Sequence, residues 1–252
     1  MKQFNSDKHT EILSDDGSYT AYSEEYAEHY HSTKDGALKE SLVKHVIPAF
    51  SVVDKAEVHI LDICYGLGFN TLATLSYYKQ NRPQTKLHIY SPELDDTLVA
   101  SLENFTYPDE FKDFKEIITA LSRDGVYEDK NTYIEVFLGD AREYIRRFEN
   151  KFDIVYQDAF SPSSNPILWT KEYFADIKKT MKKEGVLTTY SIALKIRMAL
   201  HENGFKVYLN EGKDFRGATL ASFKDLEDFS LVDVEHKMSC NPDVISLRDD
   251  HV

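Results

Sequence analysis

The chain has 252 residues, a formal net charge of −13, and 42% hydrophobic, 29% charged and 13% aromatic residues. That composition fits one globular domain, alone or with a cap, and excludes disordered, collagen-like and repeat architectures. The acid excess argues against broad non-specific binding to a phosphate backbone, leaving room only for a local basic patch.

The N-terminal residues lack the apolar core of a signal peptide, and no later run approaches bilayer length, so a cytoplasmic location without membrane contact is expected. The two cysteines, Cys64 and Cys240, are too few for a disulfide framework and lack metal-ligand spacing, which predicts reduced thiols.

Residues 1–50 precede the first core strand and gather Tyr19, Tyr22, Tyr26 and Tyr30 among acids and histidines. From residue 58 onward apolar runs alternate with amphipathic stretches, the pattern of a parallel sheet covered on both faces. Strands are predicted over 58–64, 86–91, 133–138, 152–158, 185–191, 204–210 and 217–223. The first ends in Asp62-Ile63-Cys64-Tyr65-Gly66-Leu67-Gly68-Phe69-Asn70. Two close glycines there permit a sharp turn and a close backbone approach, and the following helix start offers free N–H groups, so a nucleotide-like cofactor is the natural occupant. An ordinary turn has the same appearance.

Residues 97–132 form a long excursion rich in Phe and Tyr, read either as a cap over the site or as padding on the sheet edge. Between Lys171 and Lys182 a helix is predicted, with Tyr173, Phe174, Ile177 and Met181 on its core side and Gly185 closing it. Residues 224–252 are acidic and poorly patterned.

Right-handed crossovers bring the strand C-termini to one edge, so the residues just beyond them share a crevice. The second strand delivers Glu93, suited to accept both hydroxyls of a ribose. The third delivers Gly139-Asp140-Ala141, with an aspartate suited to an adenine amino group. The fourth delivers Asp158 within Gln157-Asp158-Ala159-Phe160-Ser161-Pro162. Each acid alone also reads as a loop residue or helix cap. Glu28-x-x-His31 with His29 has no third ligand set spaced for it, and no metal is expected.

This ordered set resembles the class I S-adenosylmethionine-dependent methyltransferases. The resemblance narrows at Asp158-Ala159-Phe160-Ser161-Pro162-Ser163-Ser164-Asn165-Pro166-Ile167-Leu168-Trp169, which is similar to the methyltransferase domain of the MnmC family. Gly66-Leu67-Gly68-Phe69-Asn70, Ser91-Pro92-Glu93 and Tyr26-Ala27-Glu28-His29-Tyr30-His31-Ser32 support it. The resemblance covers residues 15–225. It implies an α/β Rossmann-like fold with a seven-stranded, mostly parallel sheet and an antiparallel final strand, plus N-terminal and inserted helical cap segments. The implied organisation is 1–50 as a cap through which substrate enters, 51–225 as the methyltransferase domain and 226–252 as a tail.

The resemblance implies S-adenosyl-L-methionine as cofactor, held by Tyr65, Gly66, Gly68, Asn70, Glu93, Asp140, Ala141 and Asp158, with Asp158 catalytic. The implied reaction is methylation of 5-aminomethyl(-2-thio)uridine at the tRNA wobble position. For an extruded base, Tyr22, Tyr30, His31, Phe160 and Trp169 are candidate stacking platforms, and most of them also read as plain core aromatics. The flavin-dependent oxidase domain of fused members is absent from these residues, so the chain is expected to methylate only, with a separate oxidoreductase or tRNA-modifying complex supplying the aminomethyl group. Anticodon phosphates would meet Arg142, Arg146 and Arg147 or, in preference, Lys178, Lys179, Lys182 and Lys183, although charge runs at this spacing also read as solvated faces. One departure is Cys64, which stands where many methyltransferases carry the first glycine of the loop.

Two alternatives stay open. An aminopropyltransferase of the spermidine synthase type shares the fold and an aspartate after the fourth strand, but usually has a loop richer in glycine and lacks the Asn165-Pro166-x-x-Trp169 pattern. A non-catalytic RNA-binding scaffold would have no need of Glu93, Asp140 and Asp158.

Overall fold

In the computed structural model, which describes residue 4 and residues 8–252, the apolar runs form one large sheet and the N-terminal residues a small one. The small sheet is an antiparallel meander of β1 (His9–Leu13), β2 (Tyr19–Ser23) and β3 (Glu28–His29). The N-terminal cap is therefore not wholly helical as expected. Its helical part is α1 (Ala37–Ser41), which runs through a wide π-type turn at Leu42–Val46 into α2 (Ile47–Val52).

The large sheet contains β4 (Glu57–Ile63), β5 (Lys86–Glu93), β6 (Val126–Glu128), β7 (Thr132–Leu138), β8 (Phe152–Gln157), β9 (Met181–Thr189), β10 (Lys206–Asn210), β11 (Ala218–Ser222) and β12 (Ser230–Leu231). Their spatial order is β12-β10-β11-β9-β8-β4-β5-β7-β6. Strands β9, β8, β4, β5 and β7 are mutually parallel. Strand β11 is antiparallel to both β9 and β10, as expected for the final core strand. All seven expected strands are present. The sheet has nine because β6 and β12 extend its edges, three and two residues long respectively, too short to leave a pattern in sequence.

Period-two alternation sorts the core onto the two sheet faces. Ile60, Ile89, Ile134, Ile154 and Val186 share one core with α3 (Phe69–Asn81) and the N-terminal helices. Leu61, Ile63, Val155 and Leu187 share the other. All are essentially buried, and each fully buried aliphatic side chain stabilises the fold by about 1.5–3 kcal/mol.

The excursion after β5 folds into α4 (Asp96–Ser101), two short 3-10 turns and α5 (Lys115–Asp124). Phe105, Phe111 and Phe114 bury themselves in the core, Phe105 and Phe111 packing on Phe69. The segment pads the sheet, and the expected inserted cap is not formed by it. After α6 (Ala141–Ile145) comes α7 (Lys171–Thr180), which stops sooner than expected. β9 starts at once, and Gly185 lies inside it beside an irregularity in the β8–β9 register. A Cβ at Gly185 would sit about 3.0–3.1 Å from three backbone carbonyl oxygens, so the strands approach there only without a side chain. α8 (Leu194–Glu202) and α9 (Val234–Ser239) complete the helices. The C-terminal residues lie back on this layer, where Lys171 N–H donates to Leu247 and Arg142 grips Asp249 through two bonds. Among the described residues no helix is long and apolar enough to cross a membrane.

Candidate active site

The C-terminal ends of β4, β5, β7 and β8 open into a cavity of about 650 Å³, roofed by residues of the N-terminal segment. At the end of β4 the chain turns through three left-handed residues, Cys64 (φ 65°), Gly66 (φ 52°) and Gly68 (φ 76°). Gly68 is the N-cap of α3, and a Cβ there would collide with the Tyr65 hydroxyl, 2.7 Å away. Cys64 holds a backbone conformation suited to glycine at a cost of about 1–2 kcal/mol. At the departure from the family pattern, Cys64 thus takes the left-handed conformation open to a glycine. Burial and the surrounding carboxylates, Glu93 foremost, push the Cys64 thiol well up, so it is a neutral wall of the cavity and not a nucleophile.

Glu93 ends β5 inside the cavity wall. Its carboxylate accepts from the N–H groups of Gly66 (2.8 Å), Leu94 (2.8 Å) and Asp95 (3.0 Å). Burial still outweighs these bonds and raises its pKa. Asp140 caps α6, one oxygen accepting from the N–H groups of Arg142 and Glu143, so the helix-cap reading of this acid is realised. Both Asp140 and Ala141 also line the cavity.

Asp158 follows β8 and faces the cavity. Its Oδ2 accepts from the Asn70 amide at 2.8 Å, and its Oδ1 lies 3.3 Å from His45 Nε2. Burial alone would raise this carboxyl, but His45, His31 and Asn70 together hold it far below the usual carboxylate range. The Oδ1 of Asn70 is buried without a partner in the same wall. Behind it Asp62, fully buried at the end of β4, accepts from Thr71 Oγ1 at 2.9 Å, and burial pushes its carboxyl up to about 8.

The N-terminal segment supplies the opposite wall. The Tyr26 and Phe160 rings stack with centroids 4.4 Å apart, and Tyr30 leans on Phe160 at 4.9 Å. His31 is buried edge-on against Phe69, and its Nδ1 has no partner. Burial lowers its pKa and keeps the ring neutral. Glu28 ties the two walls together, accepting from Ser161 N–H (3.0 Å), from the Ser161 hydroxyl and from Ser164 Oγ (2.6 Å).

Of the sequence-predicted residues, Tyr65, Gly66, Asn70, Glu93, Asp140, Ala141, Asp158, Tyr30, His31 and Phe160 converge on this cavity. Gly68 stands just behind it as the turn that aims α3. Trp169 is a correction: it is fully buried and donates its Nε1–H to the Phe160 carbonyl at 2.8 Å, so it props the Asp158 loop and offers no face to a base. Tyr22 packs on His29 instead of lining the cavity. The sequence reading missed His45, Asp62, the tethering role of Glu28, and Tyr190, which lines the cavity and donates its hydroxyl to the Ala159 carbonyl at 2.9 Å.

All but Lys183 of the two basic clusters are already engaged. Arg142 pairs with Asp249, Arg146 with Asp176, and Arg147 lies over Phe137. Lys179 pairs with Asp176, Lys182 with the buried Asp153, and Lys178 donates to the Asn203 carbonyl. Lys182 and Lys183 are in β9, not at the end of α7.

A glycine-lined helix start, an acid at the end of the next parallel strand and a core order with one antiparallel insertion define a class I methyltransferase fold. The wall also suits that class's cofactor. The unpartnered Asn70 Oδ1 is free to accept from a donor, a Cβ at the left-handed Gly66 would press on the Tyr30 ring at 3.1 Å, and the carboxylates of Glu93, Asp95, Asp140 and Asp158 favour a cationic sulfonium.

A family model described as S-adenosyl-L-methionine-dependent methyltransferase matches residues 110–224. The crystal structure of MnmC2 from Aquifex aeolicus superposes with a TM-score of 0.83 at 32% identity, over 99% of this chain and 81% of that one. An uncharacterised protein of Methanocaldococcus jannaschii is 34% identical over 85% of the chain. The bifunctional protein MnmC of Leptospira interrogans, named for tRNA 5-methylaminomethyl-2-thiouridine biosynthesis, is 27% identical over 61% of it. The chain belongs to the MnmC2 family of S-adenosylmethionine-dependent methyltransferases. Its matches span 60% of the Methanocaldococcus protein and 25% of the Leptospira one.

Proposed function

We propose that the chain transfers the methyl group of S-adenosylmethionine to the primary amine of 5-aminomethyl(-2-thio)uridine at the tRNA wobble position. The observation that carries this reading is Asp158. It is an ionised carboxylate at the C-terminal edge of the sheet, fixed from two sides by Asn70 and His45, facing the cavity and covered by an aromatic wall. The relatives' names for 2-thiouridine biosynthesis supply the acceptor class.

The cofactor, when bound, supplies an electrophilic methyl on a sulfonium. In this reading Glu93 accepts hydrogen bonds from its ribose, Asp140 offers its uncapped oxygen toward the base, and the Gly66 turn admits the backbone closely. Asp158 accepts a hydrogen bond from the attacking nitrogen and holds it on the line of displacement. Fixing that approach at roughly 3 Å supplies much of the acceleration of such a reaction.

A carboxylate held so far below its usual range is a weak base, so Asp158 orients the amine and stabilises the positive charge that develops on it. Proton removal falls to His31, neutral through burial, with a partnerless Nδ1 in the facing N-terminal wall. Tyr26, Tyr30 and Phe160 receive the extruded uracil ring, and Glu28 keeps their wall docked on the Asp158 loop. A primary amine at that position must be installed by an earlier reaction, which we assign to a separate oxidoreductase or tRNA-modifying complex.

The test is incubation with S-adenosylmethionine and tRNA carrying 5-aminomethyluridine, followed by nucleoside mass spectrometry. A gain of one methyl on that nucleoside is expected, and an unchanged nucleoside under saturating cofactor would overturn the reading. Calorimetric titration with S-adenosylmethionine and with its decarboxylated form separates a methyl from an aminopropyl donor.

A further inference from the structure

Strands β4 and β5 begin side by side at the sheet edge opposite the cavity. Glu57 and His59, two residues apart on β4, project from one face, and His59 is in direct register with His88 of β5. The two imidazoles stack with centroids 4.5 Å apart and 11° between their planes. Both aim Nε2 at one carboxylate oxygen. Glu57 Oε1 is 2.9 Å from His88 Nε2 and 3.5 Å from His59 Nε2, and the ligand atoms of the three residues all lie within 4.8 Å of one another.

Tetrahedral zinc with bonds of about 2.0–2.2 Å needs ligand atoms about 3.3–3.5 Å apart, so shifts of an ångström or less convert this cluster into three-quarters of a coordination shell. The side chains of His59, His88 and Glu57 are 22%, 27% and 53% exposed, which gives an ion access and leaves room for water. Methyl transfer as described above does not use them, since His88 lies about 16 Å along β5 from Glu93.

We propose that Glu57, His59 and His88 bind one divalent transition-metal ion of the zinc class, with water completing its shell. Two imidazoles and a carboxylate suit zinc over calcium or magnesium, which prefer all-oxygen sites. The ion clips the starts of two central parallel strands. The site is a moderate one: His59 Nδ1 is buried without an acceptor, so this ring lacks the outer hydrogen bond that tightens metal sites. Micromolar affinity follows.

The test titrates the full, tag-free chain with Zn²⁺ against a chromophoric chelator, alongside thermal melts. One equivalent should bind with micromolar affinity and raise the Tm. His88→Gln and Glu57→Gln should each weaken binding by about tenfold or more and abolish the Tm shift. Both should keep the parent affinity for S-adenosylmethionine, which shows that they fold. Cys240→Ser should bind as the parent does. Absence of saturable Zn²⁺ binding, parental binding by both His88→Gln and Glu57→Gln, or loss of binding in Cys240→Ser would overturn the proposal. The last result would place the ion at Cys240 and His236, whose Sγ and Nε2 are 3.7 Å apart.

Discussion

His45 Nε2 stands 3.3 Å from Asp158 Oδ1, while His45 Nδ1 is 2.9 Å from Thr188 Oγ1. The carboxylate offered by β8 is thus met by a fully buried ring from the N-terminal helical segment, itself anchored on β9. The N-terminal residues belong to the wall that holds Asp158 as well as to the roof of the cavity.

Removing the charge of Asp158 while keeping its shape isolates its part in the chemistry. Asp158→Asn should leave the affinity for S-adenosylmethionine within a few-fold of the parent and lower the rate of methyl transfer by about two orders of magnitude. Single-turnover rates with calorimetric cofactor binding measure both, and near-normal turnover would remove Asp158 from the mechanism.

His45 acts through Asp158, and its effect should appear in a pH profile. His45→Gln removes the principal interaction that holds the Asp158 carboxyl down, so burial becomes the dominant influence and its pKa rises. The acid limb of the kcat profile should move to higher pH, with the plateau at alkaline pH reduced less than in Asp158→Asn. An unshifted acid limb would make His45 a packing residue only.

Glu93→Ala should weaken cofactor binding by roughly 1.5–3 kcal/mol, the scale of hydrogen bonds to a charged acceptor. The same carboxylate accepts from the Gly66 N–H, so the glycine turn should loosen as well, read as faster amide exchange at Gly66. Unchanged cofactor affinity would sink the ribose assignment.

Asp62 gives a stability signature with a defined sign. Its carboxyl is raised by burial to about 8 in the folded protein, against about 3.9 in an unfolded chain. Its favourable contribution is complete below about pH 4 and is lost as pH rises through about 8, because the unfolded chain releases the proton first. The Tm difference between Asp62→Asn and the parent should therefore become more positive from pH 5 to pH 8. A difference that does not vary with pH would show that Asp62 ionises normally in the fold.

Much of this fold was legible because the core strands are continuous apolar runs and each crevice acid follows one directly. Glu93, Asp140 and Asp158 could be read from position alone. His45 could not, since a histidine in Leu42–Val46 carries no local mark of a partner on β8, and only tertiary packing brings the two together. Trp169 misled for the opposite reason. Its place in a distinctive motif suggested contact with substrate, yet the motif is held in shape by burying it. Glu28 carries in sequence only a metal-like spacing that finds no third ligand, because its true partners, Ser161 and Ser164, are far away in the chain.

The surface proposed to meet RNA is where the structure most changes the sequence reading. Lys182 and Lys183 open β9, and the crevice lies at its other end, about 25 Å away at the rise of a strand. Lys178 and Lys179 close α7 at the same far edge. These lysines serve a solvated face and the pairing of Asp153 and Asp176. Replacing the exposed Lys179 and Lys183 by Ala, while keeping Lys182 to avoid stranding buried Asp153, should leave both tRNA affinity and its salt dependence unchanged. Removing a cation that does neutralise a phosphate would lower the slope of log affinity against log salt by roughly one unit. A measurable drop in affinity together with that change in slope would put the docking surface at the far edge and require tRNA to wrap around the sheet to reach Asp158.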